Sequence, residues 1–518
     1  MKKNIDKILA VIIVIISCVV AFIFQIQKVG FHEDEVYTLS SSVSPINGLL
    51  STYDTGVKWY TKEYVQDYYT LKKENIFNFK ALYNNQKSDN HPPFFYTLVH
   101  FSYLIFGGKF NKYTVFLVNI IAFIISCFII YKILNLIKKP NLILGTLLLY
   151  GLSMGTISLI IFQRMYMVLT MFILAYYYLS LKIYNNKYDI KTKDLVLLGI
   201  VTVTGFLTQY FFAIFVVWVF LILLIDMIKN FVKKKLKLLP IIKYVVSHMF
   251  FAGFAILSFR PAIDHLLYSP RGISNLSNGG FIDSLWIYIK HLAYAFSINE
   301  HIILFVLGLF TGLIIYYLIK SKNKLVMLTL VVPTVLFFLI SVHMTSFKEM
   351  RYILPLMPFI CIIVMMVFES INKKFNNKFV YLGLSIIFVG IGFIFSKPKF
   401  LYKNYQEKLD IANSHSDLPY VYITDNLFCH VQSVPEMMIY RKSVFINVNH
   451  DDEFEYLFNG ANLEENNKFV LSIKDYMDNE AIINEIMTRT EFKKVSTLYK
   501  YDKSLDDSVC DNVYLLSK

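Results

Sequence analysis

Long apolar runs separated by short polar segments dominate the first 400 of the 518 residues. A membrane-spanning helix needs about 20 apolar residues, and twelve runs approach that length. They fall near residues 8–24, 94–107, 113–131, 141–160, 165–183, 195–208, 211–228, 241–258, 301–319, 325–343, 352–369 and 378–396. The pattern predicts a polytopic α-helical membrane protein followed by a polar C-terminal segment.

Lysine clusters between the runs predict which side of the bilayer each loop faces. Six clusters lie around residues 2–7, 132–139, 182–193, 229–243, 320–324 and 373–378. The positive-inside rule places all six in the cytoplasm, which requires that the run 94–107 does not cross. This run is short and follows a Pro-Pro pair, so we predict an interfacial helix there. About eleven transmembrane helices remain, with the N-terminus cytoplasmic.

This topology divides the chain into two predicted domains. Residues 1–396 form the membrane domain, with a first outer loop at 26–112 and a second at 259–300. Residues 397–518 alternate strand-like runs, such as VYIT and KFVLSI, with helical segments. This alternation predicts a small extracytoplasmic α/β domain at the C-terminus.

Composition and charge exclude several classes of protein. Hydrophobic residues make up 56% of the chain and charged residues 17%, a balance unlike that of a disordered chain or a coiled coil. The net charge is +14, but residues 397–518 carry 14 Lys/Arg and 20 Asp/Glu. Basic cytoplasmic loops explain this asymmetry without a nucleic-acid partner. The five cysteines lack metal-ligand spacing, and a pairing of Cys429 with Cys510 stays open.

The first outer loop begins with FHEDEVYTLS, which places Asp34 and Glu35 close to the outer end of the first span. Apolar neighbours would hold these carboxylates partly desolvated against the membrane, a position that suits a general base. The alternative is a hydrated anionic loop start with no chemical role.

Further polar residues mark the outer ends of other apolar runs. Each has a simpler alternative: the histidine is incidental to a helix start, or the arginine only reaches for the interface. The candidates are His91 in DNHPPFFYTLVH, Arg164 and Tyr166 in FQRMYMVLT, Gln209 and Tyr210 in TQYFFAI, and Lys348, Arg351 and Tyr352 in FKEMRYILPLMP, with Arg260 in the second outer loop.

Acids and arginines thus converge on the predicted outer face. A carboxylate that activates a hydroxyl, together with arginines that hold a phosphate, forms a group-transfer site. Soluble nucleotides are not available outside a cell, so a donor there is expected to be lipid-linked. Walker, GxGxxG, HExxH and CxxC motifs are absent from the sequence.

The order of these motifs resembles the GT-C superfamily of membrane glycosyltransferases. The similarity covers about the first 400 residues and is greatest to the family 39-like branch of protein O-mannosyltransferases and lipid A aminoarabinose transferases. The resemblance implies transfer of a sugar from a polyprenyl-phosphate donor, with inversion, to an envelope glycan, lipid or protein acceptor. It also implies a multi-pass protein of the plasma membrane that acts on its outer face.

The resemblance also implies roles for individual residues. Asp34 falls on the general base and Glu35 on its companion. His91, Arg164, Tyr166, Arg351 and Tyr352 fall where relatives hold the donor phosphate, and Tyr210, Arg260 and Lys348 are secondary candidates. Gln209 departs from the histidine that many relatives carry, which leaves its role in doubt. The variable C-terminal domain inherits no function.

No cofactor is predicted, and a divalent-metal requirement stays open. Two other functions also stay open. A transporter or flippase of lipid-linked substrates would place ionisable groups near the bilayer midplane, whereas these residues cluster at span ends. A catalytically inactive relative would bind wall polymer through its C-terminal domain.

Overall fold

The computed structural model describes residues 2–45, 56–268, 280–299, 301–320, 323–371, 377–426, 429–502 and 510–518. Parts of both predicted outer loops, 46–55 and 269–279, lie outside the described residues, as does the side chain of Cys429. The chain forms two compact units. The first unit comprises Met1–Phe24, Gln86–Leu98 and Phe116–Lys399, and the second comprises Gln25–Asn85, Val99–Val115 and Phe400–Lys518. Both units are discontinuous in sequence, whereas the sequence pattern predicts a single division after residue 396.

Helices make up most of the first 400 residues. They are α1 (Lys2–Gln27), α2 (Glu33–Val43), α3 (Lys62–Tyr68), α4 (Phe79–Ser88), α5 (Phe94–Ile105), α6 (Tyr113–Leu136), α7 (Ile143–Leu152), α8 (Met154–Ile161), α9 (Tyr166–Asn185), α10 (Thr192–Phe206), α11 (Phe211–Val232), α12 (Leu238–Ser258), α13 (Pro261–Leu267), α14 (Phe281–Ala295), α15 (Ile303–Lys320), α16 (Lys324–Met344), α17 (Met357–Ile371) and α18 (Lys378–Phe395). Single 3₁₀ turns lie at Lys73–Asn75, Pro140–Leu142, Met350–Tyr352 and Leu354–Leu356.

Eight helical segments in the described part of the chain are long and apolar enough to cross a membrane. They are α1, α6, α9, α11, α12, α16, α18, and α17 with its preceding 3₁₀ turns. Helices α7 and α8 are long and apolar enough together but meet at a bend of 56°, as the two halves of a broken span or of a re-entrant loop do. The other two of the eleven predicted spans correspond to the shorter helices α10 and α15. The protein is therefore a multi-pass membrane protein.

Helix α5 covers most of the run that was predicted not to cross. It has 12 residues, which gives a length of about 18 Å. A bilayer core is about 30 Å thick, so α5 is too short to span it, as predicted.

Small residues allow close helix packing in the first unit. A side chain at Gly145 of α7 would place its Cβ only 2.8 Å from the Tyr381 carbonyl oxygen of α18. The Ser385 hydroxyl of α18 also donates to the Gly145 carbonyl oxygen at 2.8 Å. Glycine at this position therefore lets the two backbones meet, as is common between membrane helices.

The second unit contains one six-stranded mixed sheet. Its strands are β1 (Tyr60–Thr61), β2 (Pro419–Thr424), β3 (Lys442–Asn447), β4 (Lys468–Lys474), β5 (Lys494–Tyr499) and β6 (Asp511–Ser517). Their order is β1-β3-β2-β4-β6-β5, with β2 parallel to both β3 and β4. The accompanying helices are α19 (Tyr405–Ser414), α20 (Val434–Met437), α21 (Asp451–Asn459) and α22 (Asn479–Arg489), with 3₁₀ turns at Cys429–Ser433 and Leu463–Glu465.

The core of this sheet is formed by apolar strand residues such as Val421, Ile446 and Leu471. β2 and β4 are buried along almost their whole length, because side chains from both faces are covered. The predicted small α/β domain is therefore confirmed.

One strand of this sheet comes from the first outer loop. β1 pairs antiparallel with β3, at Tyr60 opposite Ser443, and the Tyr60 ring stacks on Phe445 at 5.2 Å. The indole of Trp59 donates to the Ala461 carbonyl oxygen at 2.8 Å, and the Lys442 ammonium lies 4.3 Å from the indole centroid. The loop that carries Asp34 and the C-terminal domain thus belong to one folded unit.

Candidate functional site

The acidic segment at residues 31–35, here called the acidic turn, begins helix α2 in the second unit. His32 is the N-cap residue: its Nδ1 accepts from the Asp34 backbone N–H at 3.1 Å, and the Glu35 carboxylate accepts from the His32 backbone N–H at 2.8 Å. This reciprocal arrangement is a capping box, and acids in a first helical turn also complement the helix dipole. The sequence FHEDE therefore fixes its own backbone.

The two acids differ in what surrounds them. The Glu35 side chain has no solvent exposure, and its Oε2 lies 2.9 Å from Nζ of Lys28, which is equally buried. The Asp34 side chain is 16% exposed, with its Oδ2 3.7 Å from His32 Nδ1. Of the two adjacent candidates, only Asp34 reaches the accessible surface of the protein, and Glu35 is held in an internal ion pair.

A second group of predicted residues meets around Arg164 in the first unit. The Arg164 side chain is 2% exposed, and its two terminal nitrogens lie 3.1 Å from His91 Nε2 and 3.2 Å from the Tyr96 hydroxyl oxygen. His91 begins the turn that leads into α5, and Arg164 lies in the turn between α8 and α9. The structure thus brings together two predicted residues that are 73 positions apart.

Asp89 completes this group and was not singled out from the sequence. Its Oδ2 lies 3.0 Å from His91 Nδ1 and 3.3 Å from the Tyr96 hydroxyl oxygen. Burial works to raise the pKa of Asp89, but the charge and hydrogen bond of His91 and the charge of Arg164 outweigh it and hold this pKa below its usual range. We call Asp89, His91, Tyr96 and Arg164 the arginine cluster.

Arg351 is enclosed by aromatic rings in the same unit. It is 5% exposed, and its guanidinium carbon lies 5.2 Å from the Tyr352 ring centroid and 5.8 Å from that of Phe162. The ring of Tyr166 packs edge-on against Tyr352 at 5.8 Å and stacks on Phe162 at 6.2 Å. The three predicted residues Arg351, Tyr352 and Tyr166 therefore form one contact group, with Phe162 as an additional member.

The turn before α11 contains the two candidates from TQYFFAI. The Tyr210 hydroxyl lies 2.9 Å from His265 Nδ1, and His265 Nε2 lies 3.2 Å from the Lys87 carbonyl oxygen. Burial, and then the charge of Asp89, raise the pKa of Tyr210. The Gln209 side chain accepts from the Tyr210 backbone N–H at 2.7 Å, which is a local structural contact.

The remaining two candidates have different surroundings. The Lys348 ammonium donates to the carbonyl oxygens of Thr345 at 2.5 Å and Val342 at 3.3 Å, near the end of α16. These contacts satisfy carbonyls at a helix C-terminus, and burial lowers the pKa of Lys348. Arg260 is exposed at the start of α13.

No group of three or more His, Cys, Asp or Glu side chains within the described ranges is arranged to hold a metal ion. The arginine cluster contains one carboxylate and one imidazole besides a guanidinium, a set that suits an anionic ligand.

Comparison with known proteins now bears on this geometry. The sequence profile of dolichyl-phosphate-mannose-protein mannosyltransferases matches residues 90–258, which include His91, Arg164, Tyr166 and Tyr210. The structure is similar to that of ArnT from Cupriavidus metallidurans bound to undecaprenyl phosphate, with a TM-score of 0.59 and 9% identity over 98% of this chain and 97% of that chain. The protein has the GT-C fold. The superfamily resemblance drawn from the motifs is thereby confirmed.

ArnT from the same organism in its apo state matches this chain with a TM-score of 0.54, again at 9% identity over 98% of this chain and 97% of that chain. No curated protein matches the sequence. The profile match covers about a third of the chain and excludes Asp34, Asp89 and Arg351. The partial profile match and the GT-C fold together support a role in glycosyl transfer.

Proposed function

We propose that the protein transfers a sugar from a polyprenyl-phosphate donor to a hydroxyl acceptor with inversion at the sugar carbon. The observation that carries this proposal is the arginine cluster, in which a buried guanidinium is fixed by His91 and Tyr96. A preorganised cation of this kind stabilises a phosphate that gains charge as it leaves. The solved relative ArnT was determined with undecaprenyl phosphate bound, which supports a lipid phosphate as the leaving group.

The proposed step breaks the bond between the sugar's anomeric carbon and the phosphate oxygen and forms a bond from that carbon to the acceptor oxygen. The acceptor proton goes to the Asp34 carboxylate, and the bond electrons go to the departing polyprenyl phosphate. The sugar carbon develops oxocarbenium character, as in glycoside hydrolysis. One carboxylate base is sufficient for inversion, because phosphate is already a good leaving group.

Six of the predicted residues receive a role in this proposal. Asp34 is the base, since it is the accessible member of the acidic pair. His91, Arg164 and Arg351 bind the donor phosphate; the Tyr352 ring lies beside Arg351, and Tyr166 packs against Tyr352. Asp89 is added as the residue that orients His91.

The proposed reaction takes place on the outer face of the plasma membrane. The positive-inside rule supports this side, because it leaves the acidic turn and the C-terminal domain outside. A lipid-linked donor is the form in which an activated sugar reaches that face. The acceptor hydroxyl belongs to an envelope glycan, a lipid or a protein.

The first experiment compares cells that make the wild-type protein with cells that make Asp34→Asn or the neighbouring control Glu33→Gln. Mass spectrometry follows polyprenyl-phosphate sugars and envelope glycans. We expect one donor to accumulate and one glycan to lose a sugar in Asp34→Asn alone. Matching profiles in all three strains would reject Asp34 as the base. If the protein changes the leaflet distribution of the lipid without covalent transfer, the transferase proposal is wrong and the protein acts as a flippase.

A further inference from the structure

A buried lysine lies immediately after α1 and was not assigned any role from the sequence. Lys28 has no side-chain exposure and makes an ion pair with Glu35 at 2.9 Å. Its ammonium also donates to the Phe400 carbonyl oxygen at 2.5 Å and lies 4.8 Å from the ring centroid of Tyr402. A carboxylate, a carbonyl and an aromatic face all stabilise a buried cation. The site is therefore built around a charged lysine.

The residues that face Lys28 from the other end of the chain are 400–402, here called the strap. Two backbone hydrogen bonds join it to the residues after α1, from Val29 N–H to the Leu401 carbonyl at 2.9 Å and from Gly30 N–H to the Tyr402 carbonyl at 3.4 Å. A side chain at Gly30 would place its Cβ 3.0 Å from Tyr402 and Tyr405. The approach of the two segments therefore depends on glycine.

The strap has an unusual backbone. Phe400 and Tyr402 have φ angles of 70° and 46°, in the left-handed region that bulky side chains rarely adopt. Such a conformation persists only where the surroundings determine it, and it is concentrated at functional sites. Lys28 provides part of these surroundings, because it binds the Phe400 carbonyl and packs on the Tyr402 ring.

Glu35 connects this junction to the acidic turn. Its Oε2 accepts from both the Lys28 ammonium and the His32 backbone N–H, so one oxygen atom joins the strap contact to the helix cap. The next residue in the chain before Glu35 is Asp34, whose backbone N–H is held by His32 Nδ1. A displacement of Lys28 would therefore be transmitted to Asp34 through Glu35 and His32.

We propose that Lys28 is a positioning residue that holds Asp34 in its productive orientation through Glu35 and the strap. This inference rests on the proposed function, because it assumes that Asp34 is the base. Lys28 touches no reacting atom. The positive charge of Lys28 also compensates the negative charge of Glu35, which is the carboxylate next to Asp34 in the chain.

The charge compensation has a predictable sign. Titratable neighbours of Asp34 in the acidic turn are His32, Glu33 and Glu35, and Lys28 is paired with Glu35. Removal of the Lys28 charge takes a positive charge away from Glu35, and a neighbouring negative charge favours the protonated form of Asp34. The acidic limb of the rate–pH profile should therefore move to higher pH. A purely structural defect would lower the rate at all pH values without this displacement.

The test measures sugar transfer by the purified full-length protein over a range of pH. The donor is the polyprenyl-phosphate sugar that accumulates in the Asp34→Asn strain. For Lys28→Met we expect kcat to fall about 100-fold, as for a misplacement of about 1 Å at a reacting group, with the KM for the donor unchanged. Lys28→Arg keeps the charge and should recover part of kcat. The double variant Lys28→Met/Glu35→Gln removes both charges and should restore the wild-type pH profile.

Lys403→Met is the matched control, because Lys403 lies at the same junction, is exposed and donates to the Gln27 side chain. It should match the wild type. If the wild-type protein transfers sugar and Lys28→Met has the wild-type kcat and pH profile, the role of Lys28 is rejected while the proposed function stands. An unshifted pH profile with a reduced kcat would also reject the positioning role. Absence of transfer by the wild type would reject the proposed function and this inference with it.

Discussion

Two ionic clusters, one in each unit, differ in how far their carboxylates are exposed. In the C-terminal domain, Lys408, Glu436, Lys474 and Asp511 form a charge quartet whose side chains are at most 2% exposed. The two Asp511 oxygens accept from Lys408 at 2.7 Å and Lys474 at 2.9 Å. In the arginine cluster, by contrast, the Asp89 side chain is 31% exposed, and its carboxylate contacts the imidazole of His91.

This difference distinguishes a structural cluster from a candidate binding site. The quartet has two cations and two carboxylates in mutual contact, so it has no need of an external anion. Burial alone would lower the pKa of Lys408, but Asp511 and Glu436 raise it above its usual value. The arginine cluster holds a fixed guanidinium in a group whose carboxylate is partly exposed, and a guanidinium is well suited to bind phosphate oxygens. Buried charge alone is therefore a weak sign of function.

The largest expected effect is on the stability of the quartet. Asp511→Asn leaves two buried lysines with one remaining carboxylate, and breaking a buried ion pair from one side costs about 3–5 kcal/mol. Urea-dependent protease resistance of the C-terminal domain in the full-length protein measures this loss. Lys518→Met, which removes an exposed pair with Glu491, is the control and should change stability by less than about 1 kcal/mol. An equal loss in both variants would contradict the distinction.

In the arginine cluster we expect a substitution to reduce sugar transfer rather than stability. Arg164→Met removes the fixed cation, and we expect transfer to fall about 10²- to 10³-fold, the usual effect of losing one charge-stabilising group. Arg164→Lys should recover little of this, because an ammonium does not reproduce the planar fork that contacts both His91 and Tyr96. Transfer rates and binding of polyprenyl phosphate are measured on the same preparations. A variant with normal lipid binding and normal transfer would remove Arg164 from the site.

The smallest expected effect is the pH dependence that Asp511 gives to the free energy of unfolding of the C-terminal domain. The two lysines lower the pKa of Asp511 to about 2 although burial opposes them, whereas an unfolded aspartate titrates near 3.9. A lowered carboxyl pKa stabilises the fold above about pH 4, and this contribution of about 2 kcal/mol is lost as the pH falls towards 2. The stability difference between the wild type and Asp511→Asn should therefore narrow from pH 5 to pH 2. A difference that is constant with pH would contradict the assignment.

Most of the fold could be predicted because membrane helices are visible as apolar runs. The number of uninterrupted spans is harder to predict, because a continuous run of apolar residues does not reveal the 56° bend between α7 and α8. The two-residue strand β1 could not be predicted either. It is too short to show a period of two, and its partner β3 begins at Lys442.

The candidate site was predictable in kind and less so in detail. His91 and Arg164 stand out because polar groups at span ends are costly, and the structure places them in contact. Asp89 does not stand out, because its significance depends on a hydrogen bond to His91 that no spacing encodes. Lys28 resembles an ordinary lysine at a span end, and only the fold shows that it is buried.

The pairing of β1 from the first outer loop with β3 also has a consequence for the order of events during biosynthesis. Tyr60 and Thr61 leave the ribosome long before their partner strand, which begins at Lys442. At a rate of about 5–20 residues per second, about 20–75 s separate the two. During that interval the nascent first loop lacks the sheet edge on which it will dock, and the acidic turn lacks its strap. The acidic turn can therefore acquire its final contacts only after almost the whole chain has been translated.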